Sequence, residues 1–187
     1  AIGSSLIYGS YATGWGSTAI AGGQADGTGA VAMGVGVMGA STASGVVALA
    51  LAGGTASGNS SVAIGQYDVP ALAIGYNSLA MMGAQATGDG SIAIGGRVGS
   101  GLSTFASAEN AAAFSGGQAS GNNSFAVGAG SNASGQLSVA FTGGNAETDG
   151  AFAAGSGNAN GVYAIAMGRS TTLSAPSLAE GDGAVAM

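Results

Sequence analysis

The residues able to do chemistry are few, and their scarcity is the first constraint. The 187-residue chain has two arginines, Arg97 and Arg169, eight acidic residues, and no lysine, cysteine or histidine. It therefore lacks a thiol nucleophile, a disulfide, a Cys/His metal centre and an imidazole base. The carboxylates form no paired or metal-ligating motif, and Glu147-Thr148-Asp149 reads as a solvated turn. With no catalytic constellation, the expectation is a non-enzyme that uses no cofactor or metal. Two arginines cannot neutralise a run of phosphates, which excludes a nucleic-acid partner. A net charge of −6 discourages contact with anionic lipid. No apolar run approaches the ~18 residues of a membrane-crossing helix.

What remains is contact chemistry. Arg97 lies 12 residues before Glu109, and Arg169 lies 11 residues before Glu180. The stretches 96–111 and 169–183 share the order Arg, Leu-Ser, Ala-Glu. They suit two roles: protruding loops that present ligand-binding groups, with Phe105 as an apolar contact, or an Arg–Glu fastening at a loop base or between subunits. The fastening is expected, because charge is scarce and the two copies are alike. Tyr8, Tyr11 and Trp15 cluster near the start and offer rings for a protein or sugar ligand, since aromatics are enriched at binding hot spots. Packing against a neighbouring coil would also use them. The excursion Gln66-Tyr67-Asp68-Val69-Pro70, within 66–71, reads as a turn first and a contact second. Asn-x-Ser sequons at Asn59, Asn122 and Asn132 arise readily in so Ser-rich a chain. Gly34-Val35-Gly36 leads into no helical pattern, so a phosphate cradle is not expected there.

These residues must be held by a repeat. Val31-Ala32-Met33-Gly34, Val62-Ala63-Ile64-Gly65, Leu72-Ala73-Ile74-Gly75, Ile92-Ala93-Ile94-Gly95, Phe125-Ala126-Val127-Gly128 and Ile165-Ala166-Met167-Gly168 restate one phrase. Its central alanines, marked at 19, 32, 48, 63, 80, 93, 113, 126, 140, 153, 166 and 186, are separated by 13 to 20 residues. The floor of 13 is the basic rung, and the longer intervals carry extra loop. A second element, as in Ala25-Asp26-Gly27, Ala56-Ser57-Gly58 and Ala133-Ser134-Gly135, completes the unit. A fixed short period signals one structural unit stacked many times.

Bulky residues alternating with alanine have the period of a strand, and Gly, Asn, Asp and Ser between them supply turns. Recurrent glycine, at ~1 kcal/mol per interior position, argues against helix. With 47% hydrophobic and 5% charged residues, the chain does not look disordered. The fold class is all-β: a parallel β-roll or solenoid of about 13-residue, two-strand rungs, arrayed over 1–187 with longer rungs at 66–71, 96–111 and 169–183. In this reading the bulky faces fill the slim interior and the alanine faces form a seam with sister chains. So thin a coil leaves much apolar surface exposed and favours oligomerisation.

The phrases Asn59-Ser60-Ser61-Val62-Ala63-Ile64-Gly65, Gly90-Ser91-Ile92-Ala93-Ile94-Gly95 and Asn123-Ser124-Phe125-Ala126-Val127-Gly128 resemble the YadA-like head repeats of trimeric autotransporter adhesins. The resemblance implies a left-handed β-roll, a homotrimer, and an exposed bacterial-surface role in attachment to an extracellular protein, glycan or cell surface, with no membrane contact by this segment. Similar repeats occur in bacteriophage tail fibres, which gives an alternative setting on a virion tail. The chain has fewer charges than such heads usually carry, so charge-driven ligands are not transferred to it. An ice-binding solenoid is a further alternative, disfavoured because Thr18, Thr28, Thr42, Thr55, Thr87 and Thr142 fall at different points of the rung. The chain opens on Ala1-Ile2-Gly3 and closes on Val185-Ala186-Met187, both inside a repeat phrase. The expectation is a stretch of a longer protein whose outer-membrane anchor lies elsewhere.

Overall fold

The computed structural model describes residues 9–36, 39–66, 69–96, 103–168 and 176–187. Among the described residues every regular element is a strand. The chain divides into two compact units, Ala1–Gly96 and Arg97–Met187. Each is a parallel β-solenoid in which one coil contributes a two-residue strand and a three-residue strand.

In the first unit, Tyr11–Ala12, Gln24–Ala25, Thr42–Ala43, Thr55–Ala56, Leu72–Ala73 and Gln85–Ala86 supply the short-strand ladder. The long-strand ladder comprises Thr18–Ile20, Val31–Met33, Leu49–Leu51, Val62–Ile64, Leu79–Met81 and Ile92–Ile94. The second unit repeats the plan. Its short strands run from Phe105–Ala106 to Leu178–Ala179, and its long strands from Ala112–Phe114 to Val185–Ala186.

Register is set by alanine. Ala19, Ala32, Ala50, Ala63, Ala80 and Ala93 face one another in successive long strands of the first unit. Ala113, Ala126, Ala140, Ala153, Ala166 and Ala186 do so in the second. The marker expected at Ala48 is therefore displaced to Ala50. Val47-Ala48-Leu49-Ala50-Leu51 alternates throughout, so the pattern alone allows a slip of two residues. The corrected register exposes a long interval between Ala32 and Ala50, filled by an antiparallel pairing of Val35–Gly36 with Gly39–Ala40. Gly34-Val35-Gly36 thus leads into a hairpin.

The larger correction concerns which face is inside. The interior is alanine, and the bulky residues point out. The central alanines from Ala19 to Ala166 and the short-strand alanines from Ala25 to Ala159 are fully buried. The flanking Val62, Ile64, Leu79, Met81, Phe125 and Val127 are only half-buried. The expected alanine seam between chains is overturned with it, because those methyl groups already fill the coil. Its inner dimension explains the reversal. A loop of about 13 residues that spends five on strands leaves a lumen only wide enough for methyl groups, and an interior packs to crystal-like density or not at all. Alternation by itself names two faces without saying which one is inward.

Small residues serve the same geometry at the turns. A Cβ on Gly45 would run into the Gly58 carbonyl oxygen, and one on Gly58 into that of Gly75, so successive turns nest at backbone contact. Several serine hydroxyls trapped inside are paired locally, whereas Ser91 Oγ and Ser124 Oγ are buried without a hydrogen-bond partner. Ser61, Ser78 and Ser138 donate to the carbonyls of Gly58, Gly75 and Gly135 at 2.6, 2.7 and 2.6 Å. This three-residue back-bond satisfies a buried hydroxyl that would otherwise cost ~1–3 kcal/mol.

The two connections of each coil behave differently. The turn from short to long strand is five residues in every described coil, as at 44–48, 57–61, 134–138 and 160–164. The return to the next short strand is three residues at 52–54, 115–117 and 142–144, but eight at 34–41 and seven at 65–71. All surplus length lies in the return. At two returns a hydroxyl fastens the chain where it rejoins the coil, whereas the return at 65–71 ends on Ala71. Ser41 Oγ donates to the Met33 carbonyl and accepts from the Gly53 N–H, both at 2.8 Å, and Thr104 Oγ1 accepts from the Gly116 N–H at 2.8 Å.

Candidate functional site

With the lumen filled by methyl groups, everything able to meet a partner lies on four outer surfaces: the outer face of the long-strand ladder, that of the short-strand ladder, the five-residue-turn edge, and the return edge, where Met82 is exposed. The residues singled out from sequence distribute among them unevenly. Tyr11 is exposed on the first short strand, with Gln24 opposite. Trp15, 85% exposed, stands in the turn that follows. Phe105 is half-buried on a short strand opposite Gln118, so it belongs to a regular coil and not to a protruding insert. Glu109 and Glu180 are exposed in five-residue turns of the second unit. Tyr8, Arg97 and Arg169 lie outside the described residues, and with them the Arg–Glu fastening. Tyr67 and Asp68 of the smaller excursion also lie outside.

The long-strand outer face was missed as a contact surface because its residues were assigned to the interior. In each unit it carries two columns of large apolar side chains. The first unit offers Val31, Leu49, Val62, Leu79 and Ile92 beside Ile20, Met33, Leu51, Ile64, Met81 and Ile94. Each is partly or largely exposed. The second unit places four phenylalanines there in a zigzag. Phe114–Phe125, Phe125–Phe141 and Phe141–Phe152 have ring centroids 5.7, 6.0 and 5.9 Å apart in tilted or edge-on contact. Such pairs contribute ~0.5–1.5 kcal/mol beyond area burial.

The short-strand outer face is more polar. In the second unit Asn132 Nδ2 donates to Asn145 Oδ1 at 2.9 Å, and Asn145 Nδ2 donates to Asn158 Oδ1 at 3.2 Å and to Glu147 Oε1 at 2.5 Å. In the first unit Thr42 and Thr55 are direct partners. That is one in-register pair among threonines otherwise scattered round the coil.

The five-residue turns are stitched from coil to coil by side chains. Asn59 accepts from the Val46 N–H at 3.0 Å, Asp89 from Tyr76 at 2.8 Å, Asp149 from Gln136 at 3.1 Å and Asp182 from Val162 at 3.1 Å. Thr148 Oγ1 also donates to the Gly161 carbonyl at 2.6 Å. The expected solvated turn at Glu147-Thr148-Asp149 is therefore exposed at both carboxylates and also structural. Among the described residues no group of three or more His, Cys, Asp or Glu could hold a metal ion. The surfaces offer apolar area, amides and carboxylates.

Residues 55–67, 83–97 and 119–141 match the model of the YadA head domain repeat. No curated protein matches the chain significantly.

Proposed function

We propose, from the stretches that match the YadA head domain repeat, that this protein is the head of a trimeric surface adhesin and works by multivalent attachment to an extracellular protein, glycan or cell surface. The observation that carries the reading is the pair of half-exposed apolar columns on the long-strand face of each unit. Exposed apolar patches of this continuity mark interaction sites, and burying them against sister chains stabilises at about 25 cal/mol per Å². Three chains joined along that face would present each remaining surface three times. Linked weak sites then gain apparent affinity without new contact chemistry. The head acts by binding, without catalysis, from an exposed position on the bacterial surface.

Sedimentation velocity tests the assembly directly. The expected species is a trimer, and Val62→Asp or Phe125→Asp, each placing an unpaired charge in the seam, shifts it to monomer. A wild-type chain that sediments as a stable monomer overturns the reading.

A further inference from the structure

The five-residue-turn edge lies outside the long-strand face proposed as the seam, and it has a property that the coil's fold does not require. The fourth residue of this turn takes a left-handed backbone in every described coil, and in five coils it is the glycine suited to that conformation: Gly16, Gly29, Gly90, Gly150 and Gly183. At the same position stand Val47 (φ 56°), Leu137 (φ 58°) and Tyr163 (φ 57°). A branched or bulky residue is disfavoured there. Burial does not compensate, since Val47, Leu137 and Tyr163 are 63%, 60% and 70% exposed. Tyr163 lies over Gly150, where a Cβ would strike the ring. One residue earlier in the turn, other coils display Trp15 and Tyr76, also exposed. Each unit thus shows large apolar groups on alternate coils of one edge: Trp15, Val47 and Tyr76 in the first, Leu137 and Tyr163 in the second. Parallel strands lie ~4.8 Å apart, so alternate coils repeat at about 10 Å.

Charge selects the partner. Other turns of the same edge, not those bearing the anchors, hold Asp26 and Asp89 in the first unit and Glu109, Glu147, Asp149, Glu180 and Asp182 in the second. No lysine or arginine is among the described residues. A second copy would bring the same acids to the same edge, and a polyanion would be repelled. Apolar anchors ringed by polar groups of one sign are the anatomy of a protein-binding hot spot.

We propose that this turn edge is a docking ridge for a basic protein surface bearing apolar side chains. The proposal deepens the attachment reading by naming the surface and partner class, and it is tested apart from trimerisation. The probe is a synthetic peptide of alternating leucine and lysine, measured by interferometry on the full chain. Controls are a leucine–glutamate peptide, poly-lysine of equal charge, and cellohexaose. The expected result is binding of the leucine–lysine peptide at least tenfold tighter than poly-lysine, weakened by salt, with none for the glutamate peptide.

The double variant Val47→Gly/Tyr163→Gly removes two anchors while relaxing the backbone. It should lose at least tenfold in affinity with a melting midpoint equal to or above wild type. Trp15, the sole tryptophan, should change its emission on peptide binding. Unchanged affinity in the double variant, equal affinity for poly-lysine, or binding of cellohexaose in place of the peptide each overturns the ridge. Monomeric sedimentation with ridge binding intact overturns the trimeric head alone.

Discussion

The two units have interiors of the same kind and differ in nearly everything outside them. Both are lined by alanine, with serine or alanine before each long strand. Outside, the first unit is aliphatic on its long-strand face, while the second carries the Phe114–Phe125–Phe141–Phe152 zigzag. On the short-strand face the first unit sets Thr42 against Thr55, and the second builds the Asn132–Asn145–Asn158 relay. The acids divide unevenly too, with Asp26 and Asp89 in the turns of the first unit and five in those of the second. The comparison teaches that the coil's path is fixed from within by methyl-sized side chains, leaving the exterior to carry whatever distinguishes one stretch from another.

The comparison breaks most sharply if the interior is not the common determinant. Ala63→Val in the first unit and Ala140→Val in the second should each destabilise by about 3 kcal/mol, the upper end of ordinary overpacking costs, read as a lowered urea midpoint. Tolerance of valine at either site would refute the methyl-wide lumen. On the outer face the units should diverge. Phe125→Ala should cost about 2 kcal/mol and Val62→Ala about 1 kcal/mol, since both are half-buried and only the former loses ring contacts. A double-mutant cycle of Phe125→Ala with Phe141→Ala should return a coupling of ~0.5–1.5 kcal/mol, whereas Val62→Ala with Leu79→Ala should be closer to additive.

The amide relay gives a smaller effect. Asn145→Ala should cost about 1 kcal/mol, the net worth of an ordinary hydrogen bond, and faster amide exchange at neighbouring short strands would show it. At the small end the sign reverses: Leu137→Gly should raise stability by up to about 1 kcal/mol through relief of the left-handed backbone. A loss there would mean that the exposed leucine packs in a way its 60% exposure does not suggest.

Much of this was legible in the chain itself. The all-β repeat, the 13-residue floor, the two strands per coil and the Ala-x-Gly turns follow from alternation and from where glycine falls, and the coordinates bear them out. The orientation of the strands was not legible. Val62-Ala63-Ile64 reads equally well with either face inward, and only the closed circumference of the coil decides for alanine. The slip from Ala48 to Ala50 has the same root, an alternation longer than the strand. It concealed the hairpin at Val35–Gly36 and Gly39–Ala40. Of the residues expected to bind, Trp15, Glu109 and Glu180 lie on the turn edge, but Val47, Tyr76, Leu137 and Tyr163 were overlooked. For Val47, Leu137 and Tyr163 the signal was present: a turn position that most coils give to Gly, Ser or Asn is given by a few to valine, leucine and tyrosine.

The confinement of surplus length to one side of the coil has a consequence for how such a molecule diversifies. Eight residues at 34–41 and three at 52–54 make the same journey and deliver the chain to the same rung, so an insertion there leaves the pitch of every later coil untouched. New loops can be accepted, lengthened or discarded one at a time while each unit's coil keeps its gauge, much as teeth can be recut on a comb whose spine is left alone.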